Sequence, residues 1–251
     1  MSELADWSTF AHGDGVIVAA DITQEWLLPW WWEHYRKHNS YPVAFIDFGM
    51  SFEKKKWCQE RGCFLSFPLC SDLVKEEKEV DLDIVGDWNQ NYGILHWDSR
   101  YSWFKKPFAC LKTPFERTLW IDIDCEIRAS IEPLFSFGES FPFLSLAREQ
   151  VSNNKPYPLY SSGVIAFRHK AALIAEWAKS CLEHTGKFYA DDIFLSYLLD
   201  KKGIAILEIP PTYNWSRCQK DLSRAHIVHW HGAIGKSVLK SRIHLDSLDF
   251  Y

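Results

Sequence analysis

Residues 103–127 read WFKKPFACLKTPFERTLWIDIDCEI, and the fold turns on their second half. The apolar run TLWI, rich in β-formers, stops at two aspartates, Asp122 and Asp124, that bracket Ile123. This predicts a strand over 118–123, covered on both faces and ending in acid. On a strand, residues two apart point the same way, so both carboxylates converge while Ile121 and Ile123 face the core. Two hard oxygen ligands can hold Mg2+ or Mn2+. A solvated turn is the ordinary alternative for such a triplet.

The segments before it repeat one pattern. VIVAA at 16–20 is an apolar run bounded by Gly15 and Asp21 and predicts a buried strand. Thr23 is placed to cap a helix in which Trp26, Leu27, Trp30, Trp31, His34 and Tyr35 recur at helical spacing, with a kink at Pro29. Strands over 42–46 and 63–67 flank a helix over 52–61. The β-α-β-α-β order predicts an α/β fold, a mostly parallel central sheet with helices on both faces. Residues 71–100, rich in charge, Asn and Asp, read as an insertion or lid, and 101–111 as a helix despite Pro107. Beyond the aspartates, strands are predicted over 143–147, 163–167, 204–209 and 226–230. Helices are predicted over 171–185, ended by Gly186, and over 192–202, with Asp191 as N-cap. No repeat or linker divides the chain, so residues 1–251 are expected to form one domain, with 14–125 as one half and 126–238 as the other.

Composition excludes several functions. Lys plus Arg is 28 against 33 Asp plus Glu, a net charge of −5, which argues against non-specific nucleic-acid binding. The longest apolar stretch, 26–32, contains Pro29 and is far shorter than the roughly 20 residues of a membrane span. The N-terminus lacks the basic and apolar regions of a signal peptide. Seven cysteines without a C-x-x-C pair point to reduced thiols and a cytoplasmic location. Asn214-Trp215-Ser216 is then a chance sequon. Thirteen Trp stand out. Most are expected in the core, although flat aromatic faces also stack on sugar rings.

Neither a Rossmann glycine fingerprint nor a P-loop follows the first strand. It ends instead in Ala19, Ala20 and Asp21, where small residues leave room at the carboxyl edge of a sheet. Asp21 there either accepts from a base or ribose or opens a turn. In HIVHWHG, His229 and His231 share one face of the predicted strand and His226 takes the other, which disfavours a three-histidine zinc hydrolase. One of these histidines could complete a site begun by the carboxylates. Lys105, Lys106 and Lys236 flank these elements, placed either to neutralise a phosphate-bearing leaving group or simply to be solvated. Tyr160-Ser161-Ser162-Gly163 is no nucleophile elbow.

Taken in order, VIVAAD, the 103–127 segment, YSSGVIAF, YADDIF, LEIPPTYNW and HWHGAIGK resemble the metal-dependent GT-A glycosyltransferases, specifically the retaining group of glycogenin and the bacterial lipopolysaccharide galactosyl- and glucosyltransferases. The resemblance runs from about residue 16 to 236. It implies a GT-A fold and transfer of a hexose from a nucleotide-diphosphate sugar to an acceptor hydroxyl, with retention. It places Ala19, Ala20 and Asp21 on the nucleotide and Lys105, 17 residues before Asp122, as the basic donor-binding residue, with Lys106 beside it. Asp122, Asp124 and His229 become ligands of Mn2+ or Mg2+. Ser162 and Gly163 contact the donor, although Ser161 stands where the group commonly has Asn. Asp191 orients sugar hydroxyls, and Asp192 takes the place of the Gln beneath the reacting carbon, as nucleophile or stabiliser. Gly232 lies near the diphosphate and Lys236 on phosphate, one position late and without the following Pro-Trp.

UDP-glucose or UDP-galactose follows from the resemblance as donor, with GDP-mannose open. The acceptor is a saccharide, a lipid-linked sugar or a protein. Two other readings compete: a non-catalytic relative that binds sugars or proteins, and a sugar nucleotidyltransferase, whose usual Gly-rich phosphate loop is missing. The aromatic helix at 26–35 either contacts a lipid-linked acceptor or is buried.

Overall fold

The computed structural model of the chain describes residues 12–66, 74–92, 97–150 and 156–248. Strands β1 (Asp14–Ala20), β2 (Val43–Asp47) and β3 (Cys63–Ser66) pair in parallel, separated by helices α1 (Leu28–His38) and α2 (Phe52–Gln59). Phe67, predicted as the last residue of the third strand, lies outside the described residues. Helices α3 (Leu82–Tyr92) and α4 (Trp97–Cys110) precede β4 (Arg117–Ile121), which pairs in parallel with the other side of β1. After the short β5 (Cys125–Ile127) come β6 (Leu144–Arg148) and β7 (Tyr160–Arg168), helices α5 (Ala172–His184) and α6 (Asp191–Lys201), the short strands β8 (Trp215–Ser216) and β9 (Ile227–His229), and helix α7 (Gly232–Leu248).

The central sheet has the order β3-β2-β1-β4-β7-β6, parallel except where β7 runs against both neighbours. A second, three-stranded sheet has the order β5-β9-β8. Alternation along β1 explains the layers. Val16, Val18 and Ala20 join α1, α2 and the small sheet in one core, whereas Ile17 and Ala19 join α4, α5 and α6 in the other. Six of the seven β1 residues are buried, as a strand covered on both faces must be.

Helix α1 buries Leu28, Trp30, Trp31 and Tyr35, with Trp31 and Tyr35 stacked at 5.1 Å, so the aromatic helix is a core element. Burying each such side chain contributes about 1.5–3 kcal/mol. Pro29 sits in its first turn, where no amide is lost, and follows a 3-10 turn instead of kinking the helix. Thr23 does not cap it. Instead the Asp21 carboxylate accepts from the Thr23 and Gln24 amides at 2.9 and 3.1 Å, closing the turn after β1.

Two further expectations fail. Residues 204–209 form no strand; among the described residues the one backbone bond to the sheet is the Ile209 amide donating to Leu146, and the Ile204 amide closes the end of α6 on Leu199. Asp191 is not an N-cap. Helix α6 begins at Asp191 itself, after Ala190, and the carboxylate turns inward. The described part of 71–100 is helical over 82–92 and from 97 on, while 71–73 and 93–96 lie outside the described residues. Val80, Val85 and Trp88 form a small core there with Trp97 and Tyr189.

Arg100 fastens this layer. Its fully buried guanidinium lies between Trp88 and Trp97, 4.7 and 4.9 Å from the ring centroids, and donates to the carbonyls of Lys75, Thr185, Phe188 and Tyr189. Burial lowers its pKa to about 10, so it stays charged. Arg100→Met strands several buried carbonyls at about 1–3 kcal/mol each. We expect the urea midpoint to fall steeply, with protease cleavage appearing first within 74–92. An unchanged midpoint would show that water replaces the guanidinium.

Candidate active site

The site forms where β4 ends and the small sheet begins. Asp122 and Asp124 do not continue the strand as predicted. They occupy a tight turn between β4 and β5, closed by the Cys125 amide donating to the Asp122 carbonyl at 3.0 Å. The turn is tied on both sides. The Asp122 amide donates to the Gly163 carbonyl of β7 at 2.8 Å, and the Trp230 amide donates to the Asp124 carbonyl at 2.9 Å. Ile121 and Ile123 are buried in the core, as their alternation requires.

His229, at the end of β9, pairs in register with Cys125 and brings its Nε2 within 3.3 Å of Asp124 Oδ1 and 3.7 Å of Asp122 Oδ2. Gly163 makes this approach possible, because a Cβ at that position would collide with the His229 ring. Burial alone would lower the His229 pKa, but the Asp124 carboxylate raises it. Asp124 is held well below the usual carboxylate range despite its burial, by Lys236 at 2.6 Å and by His229. Lys236, one position later than the resembling motif, thus reaches the second aspartate from the first turns of α7.

Asp124, Cys125 and His229 form a cluster whose ligand atoms lie within 4.8 Å of one another, and Asp122 flanks it through His229. Burial raises the Cys125 thiol well above its ordinary pKa, and the thiol donates to the Gly163 carbonyl at 3.7 Å. The two carboxylates and the imidazole match hard or borderline cations such as Mn2+ and Mg2+.

Lys106 anchors the other side. Its buried Nζ donates to the Ser162 hydroxyl at 2.8 Å and carbonyl at 3.1 Å and to Asp122 at 3.2 Å, and lies 3.6 Å from Asp191. Burial opposes its charge, but Asp122 and Asp191 outweigh it and hold the pKa above the ordinary lysine value. Ser162 passes the contact on by donating to Asp191 Oδ2 at 2.8 Å. One ammonium cannot fully compensate three neighbouring acids. Burial accordingly raises the Asp191 pKa, and burial together with Asp191 pushes Asp192 up to about 7.

Other predicted residues are placed apart from this cluster. Lys105 points away, donating to the Phe48 carbonyl at 3.0 Å with its Nζ 3.8 Å from the Tyr101 ring centroid. Burial lowers its pKa against the pull of Asp21 and Asp47. Asp21 has both oxygens engaged, one in the turn after β1 and one by the Ser102 hydroxyl. Ala19 and Ala20 are buried at the edge of β1. Gly232, with φ of 75°, begins α7 in the left-handed region. His231 packs edge-on to His229, ring centroids 5.3 Å apart, while His226 stands away from both. His226 packs on Tyr213 at 4.6 Å, and His231 Nε2 meets the Ser216 hydroxyl at 2.8 Å.

Sequence reasoning passed over Trp120 and Arg217. Trp120 Nε1 donates to Asp122 Oδ1 at 2.6 Å and fixes that carboxylate from its own strand, two residues away. Period-two alternation carries that signal. Arg217 precedes no recognisable motif and lies against His231 and Gly232 only through the β8–β9 pairing.

No protein-family model and no curated protein matches the chain by sequence. Solved structures do match its shape. Galactosyltransferase LgtC, in complex with donor and acceptor sugar analogs, superposes with a TM-score of 0.53 and 13% identity, over 88% of this chain and 87% of that one. Mouse xyloside xylosyltransferase 1 gives 0.54 and 13%, over 87% and 97%. The glycosyltransferase GlyE of Streptococcus pneumoniae gives 0.60 and 13%, over 89% of this chain but 55% of GlyE. The fold is therefore the GT-A glycosyltransferase fold, a six-stranded central sheet flanked by helices. Among the described residues no helix is long and apolar enough to cross a membrane.

Proposed function

We propose that this chain is a glycosyltransferase that moves a hexose from a nucleotide-diphosphate sugar, a UDP-sugar by preference, to an acceptor hydroxyl with retention of configuration. The observation that carries the reading is the meeting of Asp122, Asp124 and His229 on the seam of a GT-A fold, with Lys106 and Lys236 on either side. Two of its structural neighbours, a galactosyltransferase and a xylosyltransferase, support the class of reaction. Asp122, Asp124 and His229 are the residues that would hold Mn2+ or Mg2+, and the ion would supply Lewis-acid assistance to the departing diphosphate. Lys106 and Lys236 add fixed positive charge where negative charge develops. Ser162 and Asp191 form a hydrogen-bonded pair suited to orienting donor hydroxyls. Asp192, half-buried beside them, is the carboxylate assigned to the reacting carbon, as nucleophile or as stabiliser of oxocarbenium character. The acceptor is a saccharide, free or carried by a lipid or protein. Unpaired thiols at Cys58, Cys63, Cys110, Cys125, Cys181 and Cys218 support a reducing, cytoplasmic setting.

The direct test is a thermal-shift screen of UDP, GDP, CDP and ADP and their common sugars, with and without Mn2+. A metal-dependent rise with one base identifies the donor. No rise with any nucleotide at millimolar concentration removes the reading and leaves a non-catalytic relative of the same fold. A pH prediction follows from Asp192. With its pKa near 7, the ionised form gains population from pH 6 to 8, so donor hydrolysis under saturating metal should rise across that interval. Asp192→Asn should remove this limb. A wild-type profile flat from pH 6 to 8 would exclude an obligatory Asp192 carboxylate.

A further inference from the structure

Arg117, Arg128, Arg148 and Arg168 each face a carboxylate, but among the described residues Arg217 does not. Its Nε donates to the His231 carbonyl at 2.7 Å and its amide to the His229 carbonyl at 3.2 Å. Among the described residues its two terminal nitrogens have no acceptor, although a guanidinium carries five donors in a planar fork. The side chain is half-buried and held in place. It lies over the first turn of α7, with Nη2 3.9 Å from where a Gly232 Cβ would stand. At Gly235 a Cβ would press on the Arg217 stem, 3.0 Å from Cδ, as well as on the Trp230 carbonyl. The two glycines of HGAIG thus clear a path along which Arg217 crosses the helix.

That turn also carries Lys236, whose Nζ contacts Asp124. Arg217 is therefore a fixed, unspent cation on the rim of the site, one hydrogen bond from His231 and one residue from the strand pair that holds His229. We propose that Arg217 binds the diphosphate of the donor, adding a forked contact to the point charge of Lys236. The chemical class it selects is a nucleoside diphosphate over a nucleoside, because a guanidinium matches paired phosphate oxygens and is indifferent to the base. This rests on the proposed glycosyl transfer and adds a residue that the motif resemblance does not contain.

The test is calorimetric, in EDTA and again with Mn2+, and uses no turnover. UDP, GDP, CDP and ADP are titrated into the wild-type chain, and the diphosphate that binds is compared with its own nucleoside in Arg217→Met and Arg217→Lys. Arg217→Met should weaken the diphosphate about tenfold to a hundredfold. The nucleoside should change less than about twofold, and Arg217→Lys should fall between. Equal weakening of diphosphate and nucleoside would assign Arg217 a merely structural role and overturn the inference, as would no weakening of either. If Arg217→Met fails to fold, the same diphosphate-to-nucleoside ratio in Arg217→Lys decides. Wild-type binding to none of the four diphosphates would overturn the functional reading itself, and the inference with it.

Discussion

Asp124→Ala should abolish any metal-dependent stabilisation by nucleotide and reduce hydrolysis of the donor sugar by about a hundredfold to ten-thousandfold. Removing it deletes one of two carboxylates in the set and leaves His229 without the partner that fixes its Nε2. A bound divalent ion supplies several kcal/mol of charge stabilisation, and each 1.36 kcal/mol is a factor of ten in rate. The fold should survive, because Lys236 is partly exposed and can turn to water once its partner is gone. Asp124→Asn keeps the shape and removes the charge, and should be nearly as inactive. Full activity in either variant, measured as released nucleotide diphosphate with Mn2+ present, would remove Asp124 from the site.

The second large effect concerns stability. Lys106→Met should destabilise the chain by about 3–5 kcal/mol, because a buried charge left without its counter-ion costs far more than a surface pair. Lys106 is almost fully buried and touches Asp122, Ser162 and Asp191. The methionine stem replaces its packing but not its ammonium, which leaves buried acids to take up protons. The loss should therefore be greatest above neutral pH and diminish as pH falls, since protonation relieves it. Asp191→Asn combined with Lys106→Met should recover part of the loss. A urea midpoint unchanged in Lys106→Met at pH 8 would show that the acids find other partners.

The strands of the first half were legible because a parallel sheet writes itself as short apolar runs, and VIVAA, VAFI and TLWI are such runs. Of the small sheet only β9 was legible, inside the predicted 226–230; β5 and β8 are two or three residues long and their pairing is decided by distant packing. The run at 204–209 misled for the opposite reason. Only Ile209 is buried there, Ile204 and Ile206 pack partly on the core and Leu207 is exposed, with one bond to β6 and no strand pairing. At the site, spacing paired Asp122 with Asp124 and the family resemblance added His229, while the local backbone was misjudged, because a turn and a strand end place alternate residues on one side alike. Asp191 looked like a cap because acids commonly begin helices. Its actual contacts, Ser162 and Lys106, come from elements about thirty and eighty-five residues away, a distance no local pattern reports. Lys105 and Lys106 part on helix geometry, for adjacent residues point about 100° apart, so that Lys106 reaches Asp122 and Asp191 while Lys105 turns to Phe48 and Tyr101.

The turn that bears Asp122 and Asp124 is also the splice between the two sheets, bonded to Gly163 on one side and Trp230 on the other. Ligand spacing in the site is thereby the spacing between sheets, measured across a joint. Anything that grips both aspartates and His229 at once acts as a rivet through that joint, and its binding energy appears as resistance to unfolding of the whole. Breathing of the joint would in turn loosen the grip before any strand is lost. Amide exchange at Asp122 and Trp230, the two stitches of the seam, is where the empty and occupied states should differ most.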